Sequence, residues 1–214
     1  MRAILWAVTG TGFTFLMTAL GASLVFFFRK RIGDTVNRIF LGFAAGVMIA
    51  ASVWSLLIPA IEEAEAAGQT GWIPAAGGLV LGILFIMMMD VLLPHLHINA
   101  ERPEGLRSGW KRRTLLMLAV TLHNIPEGMA VGLSFALAAQ HSDSSSLSAA
   151  LALALGIGIQ NFPEGAAISL PLRQEGLSSG RSFLYGAASG VVEPIFGILV
   201  VLAASAIQPL MPWL

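Results

Sequence analysis

The sequence predicts an all-α protein, a polytopic membrane helix bundle of six transmembrane helices forming one domain over residues 1–214. Three observations carry that prediction. With 56% apolar residues, 11% charged residues and a mean hydropathy of +0.80, the chain falls outside the composition of soluble domains. Six apolar stretches reach the roughly 20 residues that a helix needs to cross a hydrocarbon core about 30 Å thick. The polar and apolar alternation of barrel strands is absent, so the spans are read as helices, whose backbone groups are satisfied internally.

The spans are expected at about 4–28, 39–61, 73–96, 114–139, 147–172 and 183–207. The first resembles a signal peptide in having Arg2 ahead of an apolar run and small residues at 21–23. Its length exceeds the roughly 7–15 residues of a signal core, so it is read as a span that is kept. The second ends in Glu62, Glu63 and Glu65, which read as a solvated helix end that also attracts cations. The third ends near Asp90, His95 and His97, an interfacial cluster that could receive an ion leaving the interior. His141 and Asp143 lie in a serine-rich connection with no spacing that specifies a site. Glycines four residues apart, Gly42 and Gly46, Gly78 and Gly82, Gly128 and Gly132, Gly186 and Gly190, are expected to let helix backbones approach closely.

Eleven of the twelve Lys and Arg residues follow the first, third and fifth spans, and only Arg2 lies on the other side. The positive-inside rule then places both termini outside and the three basic loops in the cytoplasm of a plasma (inner) membrane protein. The net charge of zero gives no basic field for nucleic acid. The absence of cysteine removes disulfides, thiolate nucleophiles and sulfur-rich metal sites. Connections are too short for a soluble catalytic domain, and no H-E-x-x-H or E-x-x-H sequence is present, so the chain is not read as an enzyme.

The residues that conflict with a lipid environment are His123, Asn124 and Glu127 in span four, Gln160, Asn161 and Glu164 in span five, and Glu193 in span six. A carboxylate at a helix centre costs on the order of 3 kcal/mol, so three unpaired ones approach about 8–9 kcal/mol. No Lys or Arg lies inside these spans to neutralise them, so they are protonated or share a cation. At about 100° per residue, His123 and Glu127 are roughly 40° apart and Asn124 about 60° to the other side of Glu127, which puts the triplet on one helical face. The pattern H-N-I-P-E-G at 123–128 recurs as Q-N-F-P-E-G at 160–165, a displacement of 37 residues. Two neighbouring antiparallel helices therefore offer matched nitrogen and oxygen donors of the kind a borderline divalent cation accepts.

Each glutamate has a proline beside it: Pro126, Pro163 and Pro194. Proline deprives the carbonyls of Leu122, Ile159 and Gly190 of their usual donors, and broken helices are how transporters line an ion cavity. A second reading treats Glu127 and Glu164 as neutral acids bonded to Asn124 and Asn161, a proton relay or proton-coupled carrier with His123 as shuttle. A relay has less need of paired amides.

The two P-E-G motifs, preceded by H-N and Q-N, together with V-V-E-P in the next span, resemble the ZIP family of divalent metal (zinc/iron) transporters over nearly the whole chain. The resemblance implies a binuclear site halfway across the bilayer on the fourth, fifth and sixth helices. It assigns His123, Glu127, Gln160 and Glu164 to one metal position and Asn124, Glu127, Asn161, Glu164 and Glu193 to the other, with the two P-E-G glutamates bridging. The segment A-A-G-V-M at 44–48 is similar to the family's second helix and adds Met48 as a further ligand, against a packing role for a residue that fills gaps readily.

Two departures stand out. Family members often carry Asp where this chain has Asn161, which weakens the second position or makes the site mononuclear. The family normally has eight helices in a 3+2+3 order, against six spans here, and Pro209, Pro212 and Trp213 read as the turn toward a further helix. The expected function is transport of divalent transition-metal cations, Zn2+ first, by alternating access toward the cytoplasm, with a non-transporting fragment as the other alternative. Ligand chemistry of this type also accepts Cd2+, Fe2+, Mn2+ and Co2+. The partners expected are the metal ion and the lipid bilayer, with a homodimer as one arrangement and no nucleic acid.

Overall fold

The computed structural model describes residues 2–28, 33–96, 105–141 and 144–207. His97, Asp143, Pro209, Pro212 and Trp213 lie outside them. The described chain folds into α1 (Arg2–Ser23), α2 (Asp34–Ala51), α3 (Ile58–Ala66), α4 (Trp72–Leu92), α5 (Arg112–His141), α6 (Ser144–Gln174), α7 (Ser179–Ser189) and α8 (Val192–Ile207). Six helical stretches are long and apolar enough to cross a membrane: Arg2–Phe26, Gly42–Ala66, Trp72–Leu92, Arg113–Gln140, Ser145–Gln174 and Ser179–Ala204. These match the expected spans to within a few residues at most ends.

The second span is α2 and α3 joined through a wide π turn at Ser52–Leu57. Its cause lies in the sequence: Pro59 has no N–H to give the Ser55 carbonyl, and the Ile58 N–H reaches back to the Val53 carbonyl instead. The sixth span is also composite, with α7 and α8 meeting at Gly190 and Val191.

The proline expectation needs correction. α5 and α6 run as continuous helices through Pro126 and Pro163, so these prolines do not break the rods that carry the two motifs. Each removes one backbone bond, which a long helix in a packed bundle tolerates. The break comes at the third proline. Pro194 occupies the first turn of α8, where a missing N–H costs nothing. The Gly190 carbonyl takes its bond from the Glu193 N–H at 3.1 Å.

The bundle centre is α1, α5, α6, α7 and α8, with α1 laid against α6 and α5 against α8. Glycine makes this contact possible. A Cβ on Gly165 would strike the Thr18 carbonyl of α1, one on Gly21 the Phe162 carbonyl of α6, one on Gly128 the Glu193 backbone, and one on Gly132 the Gly197 backbone. The motif glycines are therefore the points where neighbouring backbones touch. The expectation holds for α5, α7 and the α7–α8 junction, where Gly128, Gly132, Gly186 and Gly190 are all crowded. It fails for Gly42, Gly46 and Gly82, whose added Cβ would meet nothing within 4 Å. Those three sit on α2 and α4, at the bundle margin, where Ile49, Leu81, Phe85 and Met87 are exposed.

Gly165→Ala should therefore force α1 off α6 and lower stability by about 1–3 kcal/mol, as overpacking does. Gly46→Ala should be neutral or stabilising by up to about 1 kcal/mol through helix propensity alone. Thermal unfolding of the two purified variants in detergent checks the contrast.

Candidate metal centre

The expected ligands converge where α5, α6 and the α7–α8 junction meet, with α1 closing the fourth side. Glu127 on α5 is 4% exposed, and one of its oxygens, Oε1, accepts from the Gln160 amide of α6 at 2.6 Å. The His123 Nε2 lies 3.7 Å from the same oxygen, one turn along α5 toward Arg112. The His123 side chain is 60% exposed, so it forms the open edge of the cluster. Glu164 is half-buried on α6 and lies within electrostatic reach of both Glu127 and Glu193. Three carboxyl groups from three helices thus share one neighbourhood.

The two motif asparagines have structural duties that the sequence did not disclose. Both are fully buried. Asn124 donates to the Ser189 carbonyl at 3.1 Å, which satisfies the last turn of α7 where the chain breaks. Asn161 places its amide nitrogen 2.9 Å from each oxygen of Glu193 and 3.3 Å from the Thr14 carbonyl of α1. An amide has two N–H groups, so one is shared by the carboxyl oxygens and the other goes to α1. The two repeats therefore hold opposite lips of one gap, Asn124 on the α7 side and Asn161 on the α8 side. Glu193 is fully buried in the first turn of α8, where the helix dipole favours a negative group, and the Thr18 hydroxyl approaches it at 3.5 Å.

Thr14 and Thr18 were not anticipated. Their signal was available: Thr11, Thr14 and Thr18 recur at three- and four-residue spacing in an apolar span, and all three are fully buried. Met48 is half-buried on α2, beside Val47, which packs against Gly156 one turn of α6 from Gln160. Among the described residues its sulfur makes no hydrogen bond to the cluster. His95 lies elsewhere, buried between the Asp90 carboxylate at 2.9 Å and the Leu93 carbonyl at 2.8 Å, so its ring ties down the end of α4.

What the cluster can do follows from its unmet valences. Five buried side-chain oxygens have no hydrogen-bond partner among the described residues: Ser182 Oγ on α7, and a set of four, Asn124 Oδ1, Glu127 Oε2, Gln160 Oε1 and Asn161 Oδ1. All four of the set belong to the doubled motif, and all are atoms that a cation accepts as ligands. No three His, Asp or Glu side chains among the described residues stand together as a finished cage. Amides alternate with carboxyls here, and His123 turns to the open edge.

Comparisons with known proteins point one way. The chain is 36% identical to the human protein named zinc transporter ZIP11, in a match that covers 99% of this chain and 84% of that protein. It is 36% identical to zinc transporter GufA of Myxococcus xanthus, covering 99% and 78% of the two chains. It is 40% identical to zinc transporter ZIPB of Bordetella bronchiseptica, covering 91% and 61%. No protein-family model matches.

Asn161→Leu should strand the buried Glu193 carboxyl without its nearest donor and cost about 1–3 kcal/mol of stability. The double variant Asn161→Leu/Glu193→Leu should recover part of that loss, because it removes the stranded group as well. A double-mutant cycle of melting transitions reads the coupling.

Proposed function

The chain belongs to the ZIP family of metal transporters, and on that premise we propose that it carries divalent transition-metal cations, zinc first among them, across a membrane through a midplane site on α5, α6 and α8. The single observation that carries the reading is the set of four buried, donor-less oxygens beside three mutually close carboxyl groups. A doubly charged ion supplies the missing partner for the oxygens and the missing positive charge for the carboxyls at the same time. The relay alternative satisfies the charges by protonation and gives Asn124 and Asn161 acid O–H donors, but leaves Gln160 Oε1 without a partner.

In this reading His123, Glu127, Gln160 and Glu164 hold one ion, with Met48 approaching it from α2. Asn124, Asn161 and Glu193 hold a second, and Glu127 and Glu164 bridge the two. Imidazole, carboxylate and amide ligands suit zinc and do not sharply exclude its first-row neighbours or cadmium. The amide at Asn161 in place of a carboxylate removes one negative charge, so the second ion is the more weakly held. Both termini lie outside, with the basic loops on the cytoplasmic side.

The asymmetry of the site supports a state open toward the cytoplasm. His123, exposed, lies on the Arg112 side of Glu127, whereas Val131, Leu153 and Ile157 pack as buried core on the other side. Alternating access then takes the packed unit α1, α5, α6, α7 and α8 past the looser arm α2–α4, so that the ion is offered to each face in turn.

Purified protein in liposomes should show zinc or cadmium flux that falls to background in Glu127→Ala and in Glu164→Ala while the melting transition stays cooperative. Proton flux that needs no metal would overturn the assignment. Elemental analysis of protein loaded with zinc and then washed free of weakly held metal should give two ions per chain, the second removed first by a competing chelator.

A further inference from the structure

A second polar space lies two helical turns from the midplane cluster, at the other end of α5. It is a cavity of about 420 Å³ bounded by the α2–α3 wide turn, the end of α5 and the start of α6. Glu62 and Glu63 of α3 line it, together with Ser134 of α5 and Ser145 and Ser146 of α6. Its floor is apolar: Leu56 and Ala138 line the cavity and also belong to the core cluster of Val131, Leu153 and Ile157.

Ser134 points to a ligand. It is 7% exposed and lines the cavity, and among the described residues its hydroxyl has no hydrogen-bond partner. Ser182 on α7 shares this lack of a partner but does not line the cavity, and most other buried hydroxyls differ. Thr11, Thr18, Ser169 and Ser189 each donate to a carbonyl three or four residues earlier. Ser134 instead leaves its oxygen to the cavity. Carboxylates and a hydroxyl form an oxygen donor set suited to a cation that retains water. At roughly 30 Å³ per water, an ion with six waters fits in less than half of the space.

We propose that this cavity is a separate cation site, a vestibule in which Glu62, Glu63 and Ser134 hold a partly hydrated divalent ion outside the apolar floor. Ser134 and Glu127 are seven residues apart on α5, hence on one face about 10 Å from each other along the axis, with Val131 between them. An ion leaving the vestibule for the midplane site must therefore shed water and pass the Val131, Leu153 and Ile157 floor. The route rests on the transport reading, and the vestibule itself does not.

The two are separated by titrating Zn2+ into the detergent-purified Glu127→Ala/Glu164→Ala variant, in which the midplane site is disabled. One weak zinc equivalent should remain by calorimetry. It should weaken about tenfold or more in the added presence of Glu62→Gln and Glu63→Gln, and again with Ser134→Ala in place of those two. In liposomes the Glu62→Gln/Glu63→Gln variant should raise the apparent KM for zinc about fivefold at low ionic strength, and less at high salt. Absence of a residual equivalent would overturn the vestibule, as would a residual equivalent indifferent to all three substitutions. Zinc flux that survives Glu127→Ala would instead count against the midplane reading and leave the calorimetric result standing.

Discussion

Three carboxyl groups set inside a helical bundle must be met by something, and among the described residues no Lys or Arg lies at their depth. The basic residues of the spans concerned, Arg113, Arg173 and Arg181, sit at span ends, far from Glu127, Glu164 and Glu193 along the helices. What surrounds the acids instead is amide and hydroxyl: Gln160 against Glu127, Asn161 and Thr18 against Glu193. Neutral donors stabilise a buried carboxyl without cancelling its charge, so repulsion among the three persists. The arrangement of α1, α5, α6 and α8 follows from this constraint, since each contributes either an acid or a donor and none can be withdrawn without stranding another group.

The doubled motif has two functions at once. Its asparagines spend their N–H groups on scaffolding, Asn124 on the end of α7 and Asn161 on Glu193 and α1, and keep their oxygens for the interior. An amide is suited to such a double task because donor and acceptor sit on one planar group and face opposite ways. The interruption of the sixth span is thus held open by the same residues that line the site, and any ligand drawn by an asparagine oxygen is coupled to the helix break through a single side chain.

Much of this was legible in the residues alone. Hydropathy marked the six spans because bilayer thickness dictates their length, and the repeat at 123–128 and 160–165 pointed to the residues that the bundle brings together because acids are costly in lipid. The break in the sixth span was foreseeable at Pro194, but the continuity of α5 and α6 through Pro126 and Pro163 was not. A lost hydrogen bond is the same in all three cases, and tertiary packing decides whether the helix bends. Thr14 and Thr18 escaped notice because hydroxyls in a membrane helix usually bond to their own backbone, which gives no hint of a partner. The packing glycines were separable from the idle ones only by knowing which helices lie inside, and that depends on the neighbours of α2 and α4.

If the cluster carries metal as proposed, the backbone contacts at Gly128 and Gly165 set a limit on how ions are told apart. With no side chain between the rods, α5 rests on α8 and α6 on α1 main chain to main chain, and the frame can neither squeeze nor spread around its cargo. On that proposal ionic radius is sensed by side-chain torsions, by how far imidazole, carboxylate and amide arms can swing from fixed anchors. A frame of this stiffness with adjustable arms tolerates ions of similar size and rejects those whose bond lengths lie beyond the arms' reach.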